Sequence, residues 1–226
     1  MRTEAEPKPF IQARREIAPL PDWPLVTSWA GHARGLGGSF SDVLDARRSS
    51  VGGSVDESDV AALLVNAMRL RFRRDDGRFG AWESRSTPSA GGMSALRLLV
   101  LPIEADGRAG IYDDARHGLI AGPQLTPACD LNARSVRALT GAAAGTTIQL
   151  IADRTSYVSC YHNPDTLLWR DAGALCATVS LIATSLTLSS VILGRIGHDV
   201  VEATRLPRNW TAAGAVHIGR TETATS

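Results

Sequence analysis

With 226 residues, 44% of them hydrophobic and 21% charged, the chain is long enough to bury one substantial core and is neither disordered nor fibrous. Lys plus Arg number 24 against 23 Asp plus Glu, and this net charge of +1 gives no electrostatic case for nucleic acid or an anionic membrane as the main partner. Lys8 is the sole lysine, so lysine chemistry is excluded from any site further along the chain.

Residues 1–38 are rich in Pro, Gly and Arg and read as an N-terminal arm, either wrapping a partner subunit or lying as a loose tail. The charged start of the chain lacks an apolar core, so no secretory signal is expected. Cys129, Cys160 and Cys176 show no paired ligand spacing, which suggests free thiols in a reducing cytoplasm and argues against a disulfide framework or zinc site. One domain is expected over 39–226. Residues 40–47 read as a short helix capped by Ser39 or Ser41, delivering Arg47, Arg48 and Ser49 to its end. A second helix opens at 55–58 and runs to about Leu70 on the spacing of Ala61, Leu64, Ala67 and Met68. Residues 71–86 read as a charged, glycine-bearing loop. Strands are expected at 96–103, 110–112, 118–120, 146–151 and 214–218, with a helix over 131–139. A long helix over 167–188 is apolar on most of its circumference. The apolar stretch 172–193 carries too many hydroxyls for a membrane span, and burial in a dimer core fits it better.

The most informative stretch is Thr87, Pro88, Ser89, Ala90, Gly91, Gly92 and Met93, set immediately before an apolar strand. Glycine lacks the Cβ that would hold a ligand away, so such a loop can bring bare backbone N–H groups to a planar or anionic group. The same residues are also ordinary turn chemistry. Arg47 and Arg48 offer two guanidinium forks and Ser49 a hydroxyl, which suits a terminal phosphate or, more plainly, a solvated basic pair. Tyr157, Tyr161 and His162 precede the long helix, as core or interface aromatics and a turn histidine, or as a catalytic base. His117, His198 and His217 lack partners at ligand spacing and read as structural.

In this order the segments resemble the nitroreductase superfamily, flavin enzymes that bind FMN at a dimer interface, and within it the azoline dehydrogenases of thiazole- and oxazole-containing peptides. The resemblance covers roughly residues 40–220. It implies an α+β fold, a central mixed or antiparallel sheet flanked by helices, in an obligate homodimer. It also implies that Arg47, Arg48, Ser49 and Arg220 hold the FMN phosphate, although Val51 stands where the family has a further basic residue. Pro88, Ser89, Ala90, Gly91 and Gly92 would run along the flavin, and Ser94-Ala95 replaces the family's His-Pro or Tyr-Pro. Asp171-Ala172-Gly173 and the pair Gly194-Arg195 match a further pattern, in which the backbone N–H at Arg195 faces flavin N5 and its side chain shapes or blocks the pocket. The family's helix-ending glycine is Thr187 here, and its Lys-Tyr pair falls on Ser159 and Cys160, leaving Tyr161, His162 or Tyr157 as base.

The function expected is two-electron dehydrogenation of a natural-product or peptide intermediate, with a carrier protein or other biosynthetic enzymes as partners. One alternative is an NAD(P)H-dependent nitro, quinone or enone reductase. The other is a non-catalytic subunit that keeps the fold.

Overall fold

The computed structural model describes residues 5–29 and 35–221. Along the chain these form β1 (Lys8–Pro9), β2 (Leu25–Ser28), α1 (Phe40–Ala46), α2 (Glu57–Ala67), β3 (Leu70–Gly77), β4 (Gly80–Arg85), a 3-10 turn (Ala90–Gly92), β5 (Leu96–Pro102), β6 (Gly110–Asp113), β7 (Gly118–Ile120), α3 (Leu125–Thr140), β8 (Thr146–Asp153), α4 (Arg154–Cys160), β9 (Tyr161–His162), α5 (Asp165–Ser185), β10 (Leu188–Ile192), α6 (His198–Ala203) and β11 (Trp210–Arg220). Seven strands make one antiparallel sheet in the order β10-β11-β8-β5-β6-β7-β2.

β8 is buried over its whole length because it lies inside the sheet with helices on both faces. Its side chains alternate, as a pleated strand requires. Ile148, Leu150 and Ala152 join the larger core beneath α2 and α5. Ile151 joins the second core, beneath α3 and α6. The interior α5 is long and apolar enough to cross a membrane by length and composition, yet half of its apolar window is buried inside the fold.

Several expected boundaries move. Residues 71–86 are not a loop: β3 and β4 pair as a two-stranded ribbon outside the main sheet. Its alternation is confined to Leu70 and Phe72, both half exposed, before a run of Arg and Asp. The helix expected over 131–139 starts earlier, at Leu125, since Pro127 sits in the first turn where its missing N–H costs nothing. The second helix stops at Ala67, and Leu70 already belongs to β3. The long helix stops at Ser185, three residues short of Leu188, which opens β10. The arm folds back on its own chain, β2 pairing with β7 as an edge strand and β1 with β9.

Between α5 and β10, Thr187 takes a left-handed conformation, φ +61°. A β-branched residue there costs about 1–3 kcal/mol, and this is the position that the family resemblance assigns to glycine. Thr187→Gly is therefore expected to raise the melting temperature by about 2–4 °C, roughly 1 kcal/mol after glycine's own entropy. A fall in a thermal melt would show that the Thr187 hydroxyl, bonded to the Leu186 carbonyl at 2.6 Å, outweighs the strain.

Candidate active site

The loop after β4 is held by its own bonds. The Gly92 N–H donates to the Ser89 carbonyl at 3.1 Å and the Met93 N–H to the Ala90 carbonyl at 3.1 Å. The Ser94 N–H donates to Ser89 Oγ at 2.9 Å. From α5, Asp171 reaches under the loop and accepts the Ala90 N–H at 2.9 and 3.1 Å. The same carboxylate accepts the Tyr157 hydroxyl at 2.9 Å. Burial raises the Asp171 pKa above the ordinary carboxylate value. Burial, and then the Asp171 charge, push the Tyr157 phenol far above its ordinary value. Tyr157 is thus a proton donor to a buried carboxylate, and it ties α4 to α5 beneath the loop.

Gly91 and Gly92 have φ of +57° and +64°. A Cβ on Gly91 would lie 2.9 Å from the Tyr161 hydroxyl oxygen and 3.0 Å from the Phe79 ring, and one on Gly92 would lie 3.1 Å from Trp82. The glycines are therefore already required by rings of this chain, two of them carried by the β3–β4 ribbon. Beside them opens a cavity of about 580 Å³, lined by Pro88, Ser89, Gly91 and Gly92 together with Arg71, Arg78 and Trp82.

The basic cluster forms at the other end of α5. A capping box between Ser39 and Asp42 starts α1, which ends at Arg47. The following strap is stitched to the β10–β11 pair: the Ser50 N–H donates to Ser190 at 3.0 Å, and Gly53 and Arg220 exchange two bonds of 3.0 Å. A cavity of about 720 Å³ results, lined by Arg48, Ser50, Asp59, Thr184, Thr187, Arg220 and Thr221 among others. Arg47 and Ser49 are exposed and do not line it. Arg220 pairs with Asp59 at 3.0 Å and with Asp56. Two guanidinium groups and four hydroxyls are a donor set that fits a phosphomonoester, with the Arg220 charge shared between any such anion and the two carboxylates. The two cavities share no lining residue within one chain.

Of the three candidate bases, Tyr161 touches the loop: its ring meets Phe79 edge-on with centroids 5.1 Å apart. Burial raises its pKa. His162, the next residue on β9, points the other way and packs on Phe10 of the arm, centroids 3.9 Å apart. The arm covers this segment further. Arg15 Nε donates to Ser156 Oγ at 3.1 Å, and the Ala18 N–H donates to Asp153 at 2.9 Å. The Arg15 charge also acts on the Cys160 thiol, whose pKa burial raises.

Arg195 leaves the loop's side of the sheet clear. Its guanidinium donates to Gln149 Oε1 at 3.0 Å and Asn132 Oδ1 at 2.6 Å, on the face covered by α3. Gly194 has open space where a Cβ would stand. His217 is a buried structural histidine between Thr147 and the Ala144 carbonyl. The three thiols are free, and no metal-ligating cluster exists among the described residues. Asp171 is the residue whose role the sequence did not reveal. Its signal was a carboxylate on a helix otherwise apolar along that face, which must find buried donors.

No family model matches the chain, and no curated protein matches it. Solved structures do. A protein described as a nitroreductase from Ralstonia eutropha is 18% identical, with a TM-score of 0.59, over 97% of this chain and 100% of that one. The nitroreductase CinD from Lactococcus lactis, solved with nicotinic acid, is 20% identical, with a TM-score of 0.53, over 83% and 92%. A structure with FMN from Desulfovibrio desulfuricans is 17% identical, with a TM-score of 0.51, over 82% and 88%. The chain has a nitroreductase-like fold.

Proposed function

We propose that this chain is an FMN-dependent oxidoreductase that acts as a homodimer, in the reductive direction, on a conjugated acceptor such as a nitroaromatic, quinone or enone. The observation that carries the reading is the braced loop, with Asp171 beneath Ala90 and Tyr161 against Gly91. Arg48, Ser50 and Arg220 would hold the phosphate, and residues 88–92 would line the ring side. Bound there, FMN supplies the carrier of two electrons. Tyr161 would hold a proton at Oη and give it to the reduced product, since a phenol with a raised pKa serves better as acid than as base near neutral pH. The fold likeness to a protein solved with FMN supports a flavin.

The homodimer would bring the two cavities into one site. Phe40, Leu44 and Trp169 leave apolar surface exposed along α1 and α5, where a second copy would cover it. A scattering mass near twice the 24.0 kDa of one chain is the expected result.

Dehydrogenation of a peptide or natural-product intermediate, possible with dioxygen as final acceptor, is the second reading. It asks for a base, and with Tyr157 spent on Asp171 it rests on Tyr161 or His162. Anaerobic stopped-flow mixing with NADPH separates the two readings. Fast bleaching of the flavin band supports reduction, and no bleaching with NADPH or NADH overturns it. Tyr161→Phe is expected to lower turnover by about 10²-fold while leaving the flavin spectrum intact. Protein that purifies colourless and takes up no FMN would overturn the whole reading.

A further inference from the structure

The 580 Å³ cavity beside Gly91 and Gly92 has a charge pattern of its own. Four charged side chains line it: Arg71, Arg78, Glu83 and Arg85. Arg85 and Glu83 are already matched, their side chains meeting at 2.6 Å, and Arg85 also takes Asp114 at 2.5 Å. Neither Arg71 nor Arg78 has an ion-pair partner among the described residues. Arg78 lies over the Phe79 ring, 5.8 Å from its centroid, and its charge acts on Tyr161. Asp75 and Asp76, on the same ribbon, do not line the cavity. The remaining walls are flat or hydroxylated: Trp82, Pro88, the two glycines, and Ser84, Ser86, Thr87 and Ser89. Two exposed guanidinium groups, without an ion-pair partner among the described residues, thus stand at the rim of an open, flat-walled space, where a fork of N–H donors suits a carboxylate or another oxyanion.

We propose that this cavity selects substrates in which a flat conjugated ring carries an anionic group, with Arg71 and Arg78 as the charge-reading residues. The proposal rests on the oxidoreductase reading and names the substrate class of that same site. It explains why a ribbon outside the main sheet is docked by Trp82 and Phe79 onto the loop: that docking brings its arginines to the cavity rim.

Two probes of one shape decide it, 4-nitrobenzoate and 4-nitrobenzyl alcohol. Calorimetric titration of the purified full chain should show the carboxylate binding about tenfold tighter, a preference that shrinks as salt rises. Arg71→Gln with Arg78→Gln should reduce the preference about three- to tenfold, whereas Arg134→Gln, on the far side of the sheet, should leave it unchanged. The kcat/KM ratio for the two probes should follow the same order. Equal binding of both probes, or a preference that survives the double variant, overturns the proposal. A charge-blind ratio in a flavin-loaded, active protein overturns it alone. A protein that holds no flavin overturns the functional reading instead, and the titrations then still decide whether the cavity reads charge.

Discussion

Asp171→Ala is expected to unfold the chain about 6–12 °C earlier and to release any bound flavin. The carboxylate is the acceptor for two groups beneath the loop, the Ala90 N–H and the buried Tyr157 hydroxyl. A buried donor left without its partner costs about 1–3 kcal/mol. The two share one acceptor, so their losses do not add, and about 3 kcal/mol is the expected sum. At about 2–4 °C per kcal/mol in a domain of this size, that gives the stated shift. Tyr157→Phe removes one donor and should cost less, and the double variant should cost little more than Asp171→Ala alone. Additive losses would show that the three groups do not act as one network.

The same carboxylate gives a pH dependence of known sign. Burial raises its folded pKa above the unfolded value, so the folded chain binds the proton more tightly than the unfolded chain does. Its contribution is then fully present below the unfolded pKa and is lost as pH rises through the folded one. Melts of the parent chain should lose this component between those two values, and Asp171→Asn should not. Parallel pH profiles for the two proteins would place the titration elsewhere.

Arg220→Ala combined with Arg48→Ala should lower FMN affinity by 10²-fold or more. Each charge-assisted contact to a phosphate contributes about 1.5–3 kcal/mol, at least about tenfold in Kd. Arg220 gives less than its full charge, because Asp56 and Asp59 share it. Arg47→Ala is expected to do much less, since Arg47 is exposed and outside the cavity that Arg48 lines. Fluorescence titration of FMN into the two variants measures this. Full retention by the double variant would remove the phosphate from this cavity, and an equal loss in Arg47→Ala would return Arg47 to the site.

The elements that the sequence revealed were those whose pattern is local. Ser39 was one of two N-cap candidates for α1, and the structure chooses it over Ser41 through a capping box with Asp42, which spans only four consecutive residues. The apolar runs of β5 and β8 and the apolar circumference of α5 follow from burial on both sides. The basic cluster was half visible: Arg48 and Arg220 line one cavity, but the choice of Arg48 over Arg47 depends on the direction in which the chain leaves α1. The β3–β4 ribbon was missed because its alternation is confined to Leu70 and Phe72, both half exposed, and its docking depends on Phe79 and Trp82 meeting Gly91 and Gly92.

By itself the sequence determined an α+β chain, its buried strands, its long apolar helix and a glycine turn, since periodicity and turn chemistry are written in neighbouring residues. Tertiary structure alone decided the rest. It sent Tyr157 to Asp171 rather than to a substrate, and turned Arg195 to the far face of the sheet. It also laid the arm over His162 and set arginines of the ribbon beside Gly91 and Gly92. Each of these depends on which group meets which partner across as many as 152 residues, from Phe10 to His162, a pairing fixed by sheet order and packing rather than by local pattern.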